Sequence, residues 1–281
     1  MGVKIGAETV GGFKIGAEIV GGMKVGTEII YRAAAPVATV LYATATIIVS
    51  FQVQYVLLTI DKTTGVATRV GSSTLGVGLT GGGLAWDGAN LFMADSGTDA
   101  LYTVDRTTGV ATRVGSASNF SALVNVTAGL AWDGTNLLLT AENRVARPNF
   151  YALYTVDRTT SVATRVGTEV LDGSNALAWD GSTLFMADGN REALFTVDRT
   201  TGAETRVGAA TRFGADLGSP GGLAWDGANL FMVDELTDRL YTVDRITGVA
   251  TRVGTATNFG LGRSRSAVRG LVFAPAPATS D

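Results

Sequence analysis

LYTVDRTTGVATRVG, residues Leu101–Gly115, decides the architecture because it keeps returning. It recurs as LYTVDRTTSVATRVG from Leu153, LFTVDRTTGAETRVG from Leu194 and LYTVDRITGVATRVG from Leu240, and an earlier copy, LLTIDKTTGVATRVG, starts at Leu57. Each copy is two short alternating strands joined by Asp-Arg-Thr-Thr-Gly, a turn that uses Asx chemistry and a glycine. Working outward, GLAWDGANLFMAD (Gly83–Asp95) returns as GLAWDGTNLLLTA, ALAWDGSTLFMAD and GLAWDGANLFMVD, with Trp at 86, 132, 179 and 225. Four strands per unit, GLAW, NLFMAD, ALYTVD and VATRVG, at a spacing of about 46 residues are the signature of a propeller blade.

The third-and-fourth-strand segment occurs five times, but the Trp segment only four times. Arg269-Gly270-Leu271-Val272-Phe273 supplies the missing inner strand, with Phe in the Trp place. Its expected partners are Ile47–Val53, Val56–Asp61 and Val66–Gly71, so both termini build one blade and no open edge is left. The expectation is an all-β, five-bladed β-propeller of four-stranded blades over residues 33–281. A sixth blade requires Val40–Thr44 to be a separate inner strand.

Residues 2–31 carry a different repeat: GVKIGAETVG, GFKIGAEIVG and GMKVGTEIIY. Each copy reads as strand, Gly-centred turn, strand. So short a segment cannot bury a core alone. Residues 1–32 are therefore expected to form an attachment or oligomerisation element, with Lys4, Glu8, Lys14, Glu18, Lys24 and Glu28 as its anchor residues.

Composition removes much chemistry. The chain has no Cys and no His, which excludes disulfides, thiol nucleophiles, imidazole bases and His-ligated zinc. A formal charge of −3 and a pI near 5.1 do not fit a general nucleic-acid binder. The uncharged stretch Ala33–Ile60 alternates Val49, Phe51, Val53 and Tyr55 with Ser50, Gln52 and Gln54, which describes a half-buried strand and not a membrane span. No signal peptide or myristoylation pattern opens the chain.

The blade units resemble Tyr-Thr-Val-Asp-x-x-Thr-Gly repeat proteins, relatives of NHL- and TolB-type propellers, over about residues 40–273. The decads, at Ile5-Gly6-Ala7-Glu8, Ile15-Gly16-Ala17-Glu18 and Val25-Gly26-Thr27-Glu28, resemble N-terminal runs of tailed-bacteriophage structural proteins. That resemblance implies a virion accessory protein with an inward anchor and an outward head.

Repetition separates structural from functional residues. Asp87, Asp133, Asp180 and Asp226 follow each Trp, and Asp105, Asp157, Asp198 and Asp244 follow each Tyr/Phe-Thr-Val, so all read as turn residues. The Trp set reads as core between blades. Arg69, Arg113, Arg165, Arg206 and Arg252 read as an exposed ladder on the outermost strands. Asp95, Asp188 and Asp234 end three second strands; turn capping outweighs a Ca²⁺ or Mg²⁺ site there, and no cofactor is expected. No nucleophile elbow or P-loop occurs.

Length variation points to one face. From Trp to the repeat Asp the chain runs 86→105, 179→198 and 225→244 in three blades but 132→157 in the other, an insertion at Glu142–Tyr151. This variable-loop face is the expected binding surface, with Arg144, Arg147, Asn149, Phe150 and Tyr151, and with Phe120, Arg212, Phe213, Phe259, Arg263 and Arg265 in neighbouring loops. The resulting expectation is a non-enzymatic phage virion component (decoration, fibre or tail-associated), oligomeric in the particle and joined to other virion proteins through residues 1–31. Its outward ligand would be a host surface protein or glycan, with no nucleic-acid partner. The alternatives are a cell-surface or secreted propeller that binds carbohydrate or protein, and a metal-dependent lactonase-like hydrolase.

Overall fold

A computed structural model describes residues 4–5, 8–9, 22–25, 28–31, 39–116, 120, 124–143, 150–172, 175–214, 217, 219–261 and 267–277. The chain divides into two compact units, 1–38 and 39–281. In the first unit, β1 (Lys4–Ile5) pairs with β2 (Glu8–Thr9), and β3 (Gly22–Val25) pairs with β4 (Glu28–Tyr31), both antiparallel. The first and third decads each contribute an antiparallel strand pair, which places Lys4, Glu8, Lys24 and Glu28 on strands. Lys14 and Glu18 lie outside the described residues.

The second unit is a ring of five four-stranded antiparallel sheets. Blade 1 consists of β24 (Val268–Pro275), β5 (Thr39–Val49), β6 (Gln52–Ile60) and β7 (Ala67–Arg69). Blade 2 is β8 (Gly82–Trp86), β9 (Leu91–Asp95), β10 (Ala100–Val104) and β11 (Ala111–Arg113). Blade 3 is β12 (Val124–Trp132), β13 (Leu137–Asn143), β14 (Phe150–Val156) and β15 (Ala163–Arg165). Blade 4 is β16 (Asn175–Trp179), β17 (Leu184–Asp188), β18 (Ala193–Val197) and β19 (Glu204–Arg206). Blade 5 is β20 (Pro220–Trp225), β21 (Leu230–Asp234), β22 (Arg239–Val243) and β23 (Ala250–Arg252). The inner strands neighbour one another in the order β24, β8, β12, β16, β20 and back to β24.

Closure is as the inner-strand count requires: β24 pairs with β5, from Val268 opposite Ala45 to Pro275 opposite Thr39. The expected partner limits need correction. β5 begins at Thr39, and Ile47–Val53 is not a strand but the end of β5, a turn and the start of β6. Ser50 and Phe51 hold positive φ (50° and 63°), the geometry of a two-residue hairpin. Val49, Phe51, Val53 and Tyr55 mimic one alternating strand because Ser-Phe lacks the Asn or Gly that marks such turns. Val40–Thr44 lies inside β5, so there is no sixth blade.

Apolar side chains from adjacent blades fill every gap. One cluster joins Leu41, Ala43 and Leu58 of blade 1 to Phe231, Val233 and Leu240 of blade 5. The other four join blades 1 and 2, 2 and 3, 3 and 4, and 4 and 5. Each fully buried Leu or Phe contributes about 1.5–3 kcal/mol by leaving water. Blades also meet backbone to backbone. A Cβ on Gly167, which has φ +57°, would lie 2.1 Å from the Thr201 carbonyl oxygen of the next blade, so only glycine permits that approach.

Candidate recognition face

The ring has two faces of different construction. The turns between first and second strands and between third and fourth strands form one, here called the constant face. Asp87 Oδ1 accepts the N–H groups of Ala89 and Asn90 at 2.9 and 2.7 Å, and Asp133, Asp180 and Asp226 do the same in their turns. Their Oδ2 atoms accept a cation from the next blade: Arg158 on Asp87, Arg199 on Asp133, Arg245 on Asp180 and Lys62 on Asp226. Each of these arginines also lies over the Trp of its own blade, Arg158 on Trp132, Arg199 on Trp179 and Arg245 on Trp225, 4.1–4.3 Å from the ring centroid. Lys62 stands 5.7 Å from the Phe273 ring. Where Phe273 is followed by Ala274 in place of Asp, Arg106 stacks on Trp86 and donates to the Pro275 carbonyl instead.

Trp and Asp thus act as one inter-blade fastening. Burial pushes these four carboxyls up, but the turn N–H groups and the cation outweigh it and hold each below the usual carboxylate range. The Trp side chains are half-buried and line an axial cavity of about 120 Å³ with Leu and Ala of four inner strands and Leu271, Val272 and Phe273 of the fifth. Trp86, Trp132, Trp179 and Trp225 each pack against the cluster at one blade junction, as the reading of Trp as core between blades expects, and each ring also lies under an arginine. The cation at residues 62, 106, 158, 199 and 245 was visible as an invariant positive position, but its partners were not.

The second turn type on this face is equally regular. Asp105 Oδ1 accepts Thr107 N–H, Thr108 N–H and the Thr107 hydroxyl. The hydroxyl and the two amides take its carboxyl down to about 2. Asp61, Asp157 and Asp198 repeat this cap, Asp244 takes its hydroxyl from Thr247 because Ile246 stands in the first Thr place, and all four are lowered by these groups.

The opposite, variable face holds the loops between second and third strands and those leading from one blade to the next. Here the structure redistributes the candidate residues. Phe120, Phe213 and Phe259 are buried, each plugging one gap between blades, with Leu75 and Leu171 buried in the other two. They are core residues, not surface anchors. All three Phe hold positive φ near 50°, which turns the ring inward. Arg212 is exposed and pairs with Glu192 at 3.2 Å. Arg144, Arg147, Asn149, Arg263 and Arg265 lie outside the described residues.

The blade 3 insertion lengthens a hairpin. β13 and β14 pair from Leu137–Val156 up to Asn143–Phe150. Phe150 and Tyr151 are therefore half-buried strand residues: Arg165 covers the Phe150 ring at 4.5 Å, and Tyr151 accepts the Leu171 N–H through its carbonyl at 2.8 Å. Both pack against interior clusters, which corrects their reading as free contact residues.

Four of the five outer-strand arginines are loop ties and not rungs of a ladder. Arg69, Arg165, Arg206 and Arg252 each donate through Nη2 to carbonyls of the turn that follows, as Arg252 does to Thr255 and Ala256 at 2.7 and 2.9 Å. Asp95, Asp188 and Asp234 are wholly buried and serve as caps. Asp95 accepts Thr80, Gly81 and Thr98 N–H groups; Asp188 accepts Asn190 and Arg191; Asp234 accepts Ser219 and Thr237. Among the described residues, no three acidic side chains gather in a way that could hold a metal ion.

No protein-family model matches the chain. No curated protein matches it either. Solved structures do. A chain of a nidogen/laminin complex aligns with a TM-score of 0.51 at 13% identity, over 86% of this chain and 100% of that one. A Xanthomonas campestris gluconolactonase aligns at 0.47 and 18% identity, over 72% of this chain and 70% of that one. A Myxococcus xanthus glutaminyl cyclase aligns at 0.44 and 17% identity, over 63% and 70%. The likeness is one of fold.

Proposed function

We propose that this chain is a non-enzymatic interaction protein, a bacteriophage virion component of decoration, fibre or tail-associated type. In this reading the N-terminal strand pairs attach it to other virion proteins, and the variable face of the propeller meets a host surface protein or glycan. The observation that carries a binding role is the asymmetry of the ring. Turns on the constant face are uniform and self-satisfied, whereas the variable face carries two enlarged hairpins, β5–β6 and β13–β14, that closure does not require. A catalytic role finds little support. Asp95, Asp188 and Asp234 use their oxygens to cap backbone, and the axial cavity is lined by Leu, Ala, Trp, Val and Phe.

Mass spectrometry of purified particles tests the virion assignment: the chain should be present at a fixed copy number, and its absence overturns the reading. The second reading is a cell-surface or secreted propeller that binds protein or carbohydrate. The fold shared with a chain of a nidogen/laminin complex suits it, and detection on the cell envelope but not in particles would favour it.

A further inference from the structure

Each innermost strand has one edge bonded to the second strand of its blade and one edge that faces the axis. In β8 the Asp87 N–H donates to the Asn90 carbonyl at 3.2 Å, and the Gly81 carbonyl accepts the Ser96 N–H at 3.3 Å, so the odd-numbered residues bond toward β9. Bonding residues alternate along an antiparallel pair, so Leu84 and Trp86 turn their N–H and C=O groups the other way, to the axis. Asp133, Asp180 and Asp226 donate to Asn136, Thr183 and Asn229 in the same manner, which sets Trp132, Trp179 and Trp225 inward. Phe273, opposite Leu41, holds the matching register in β24. Among the described residues, the axial backbone groups of these four Trp and Phe273 have no protein partner.

All five inner strands run from the variable to the constant face, so these five residues stand level. They present a ring of N–H groups beside a ring of carbonyls at the constant-face end of the axis. The axial cavity of about 120 Å³ lies among them. That is room for about four water-sized groups at ~30 Å³ each. Backbone groups shut away from any partner are costly, so this cavity suits a polar guest. At the variable end the axis narrows. A Cβ on Gly270 would lie 2.1 Å from the Gly82 carbonyl oxygen, and one on Gly222 would lie 2.7 Å from the Gly270 carbonyl carbon.

Charge selects the guest. The innermost charges at the constant-face end are four ion pairs, Asp87, Asp133, Asp180 and Asp226 with Arg158, Arg199, Arg245 and Lys62, and one further cation, Arg106. Arg106 lies 4.2 Å over the Trp86 ring and meets the neutral Pro275 carbonyl where the other junctions have a carboxylate, so the inner ring carries one uncompensated positive charge. The exposed Asp61, Asp105, Asp157, Asp198 and Asp244 end the third strands, roughly 10 Å farther out at the usual strand spacing, and solvent screens them. The buried Asp95, Asp188 and Asp234 stand at the other end of the second strands, about 13 Å from the Trp level. We propose that the axial cavity binds one small, hydrated monovalent anion, held by the N–H ring of Trp86, Trp132, Trp179, Trp225 and Phe273 under the cations of the constant face. The carbonyl ring receives the hydrating water. The site stands independently of the virion reading.

The chain has four Trp and all of them line this cavity, so Trp emission reports on it directly. Iodide, a heavy-atom quencher, is the probe, titrated into full-length protein at constant ionic strength. Quenching should saturate, and added chloride should reverse it. Arg106→Gln should raise the half-quenching concentration by about fivefold. Arg252→Gln, which removes a loop tie on the outermost strand, should leave it unchanged. Iodide quenching that rises linearly without saturation overturns the proposal, because the cavity would then hold water alone. Saturable quenching by caesium also overturns it, since the carbonyl ring would then be holding a cation. An Arg106→Gln protein that melts like the parent and keeps its half-quenching concentration overturns the charge argument and the site with it.

Discussion

The two faces of the ring are made from the same repeats by opposite rules. On the constant face every turn has one length, every Asp holds two amide N–H groups, and four of the five blade junctions carry a cation–carboxylate pair, three of them stacked on Trp. The variable face mixes invariance with freedom: a buried Phe or Leu plugs each gap, while the rest of the loop varies in length. Recurrence of a polar side chain marked fastening on the first face. On the second, recurrence of an aromatic side chain marked a hidden plug. Electrostatics divide the same way. Constant-face carboxyls are held down by amides, hydroxyls and cations, whereas burial raises Glu235 and Asp238 on the variable face.

The largest expected effect treats both faces alike. Deleting residues 269–281 removes nearly all of β24 and leaves β5 and the neighbouring inner strands uncovered, so the cooperative thermal transition should disappear. A truncated chain that melts like the full-length protein would break the closure scheme.

Acid should next attack the constant face. A depressed folded pKa gives stability that is complete above the unfolded carboxylate pKa and is lost as pH falls through the folded value. With Asp105 at about 2 and the other capping carboxyls also lowered, the melting temperature should fall steadily between about pH 4 and pH 2. Glu235 and Asp238 act in the opposite sense, since raised acids favour the fold as pH drops, but they are two against nine. A melting temperature that is flat or rising over that range would contradict the fastening role.

Phe213→Ala should cost about 3–5 kcal/mol in denaturant unfolding, because it empties a gap between blades 4 and 5. A loss below about 1 kcal/mol, within the range of ordinary surface changes, would return Phe213 to the surface. Arg199→Ala should cost less, on the order of 1–2 kcal/mol, since its side chain is 40% exposed and solvent screens the pair with Asp133. A double-mutant cycle with Trp179→Phe would separate stacking from the ion pair. Smallest of all, Phe51→Ala should leave stability unchanged within about 0.5 kcal/mol, because that residue is fully exposed among the described residues.

Much of the propeller was legible because its signals are local. Strand alternation, Asp-Gly and Thr-Gly turns, and the count of five third strands against four Trp strands all lie in contiguous residues. The errors have a common cause. Phe120, Phe213 and Phe259 looked like surface anchors because loop position normally implies exposure; which gap a loop crosses depends on the neighbouring blade. Phe150 and Tyr151 looked free because the insertion read as a loop, whereas their strand continues past the length of its siblings. Ser50–Phe51 passed unnoticed because its residues do not advertise positive φ.

Period and turn chemistry in the sequence therefore determined the number of blades and the strands within them, since both depend on residues adjacent in the chain, and the count of five third strands against four Trp strands left both ends to complete one blade. Tertiary structure alone decided that Arg199 fastens Asp133, that Phe213 is core, and that β5 and β6 run on together past their pairing with β24 and β7. Those properties arise between blades or beyond them. Their physical basis is the distance and burial that ring closure imposes on residues far apart in the chain, which no pattern along the chain encodes.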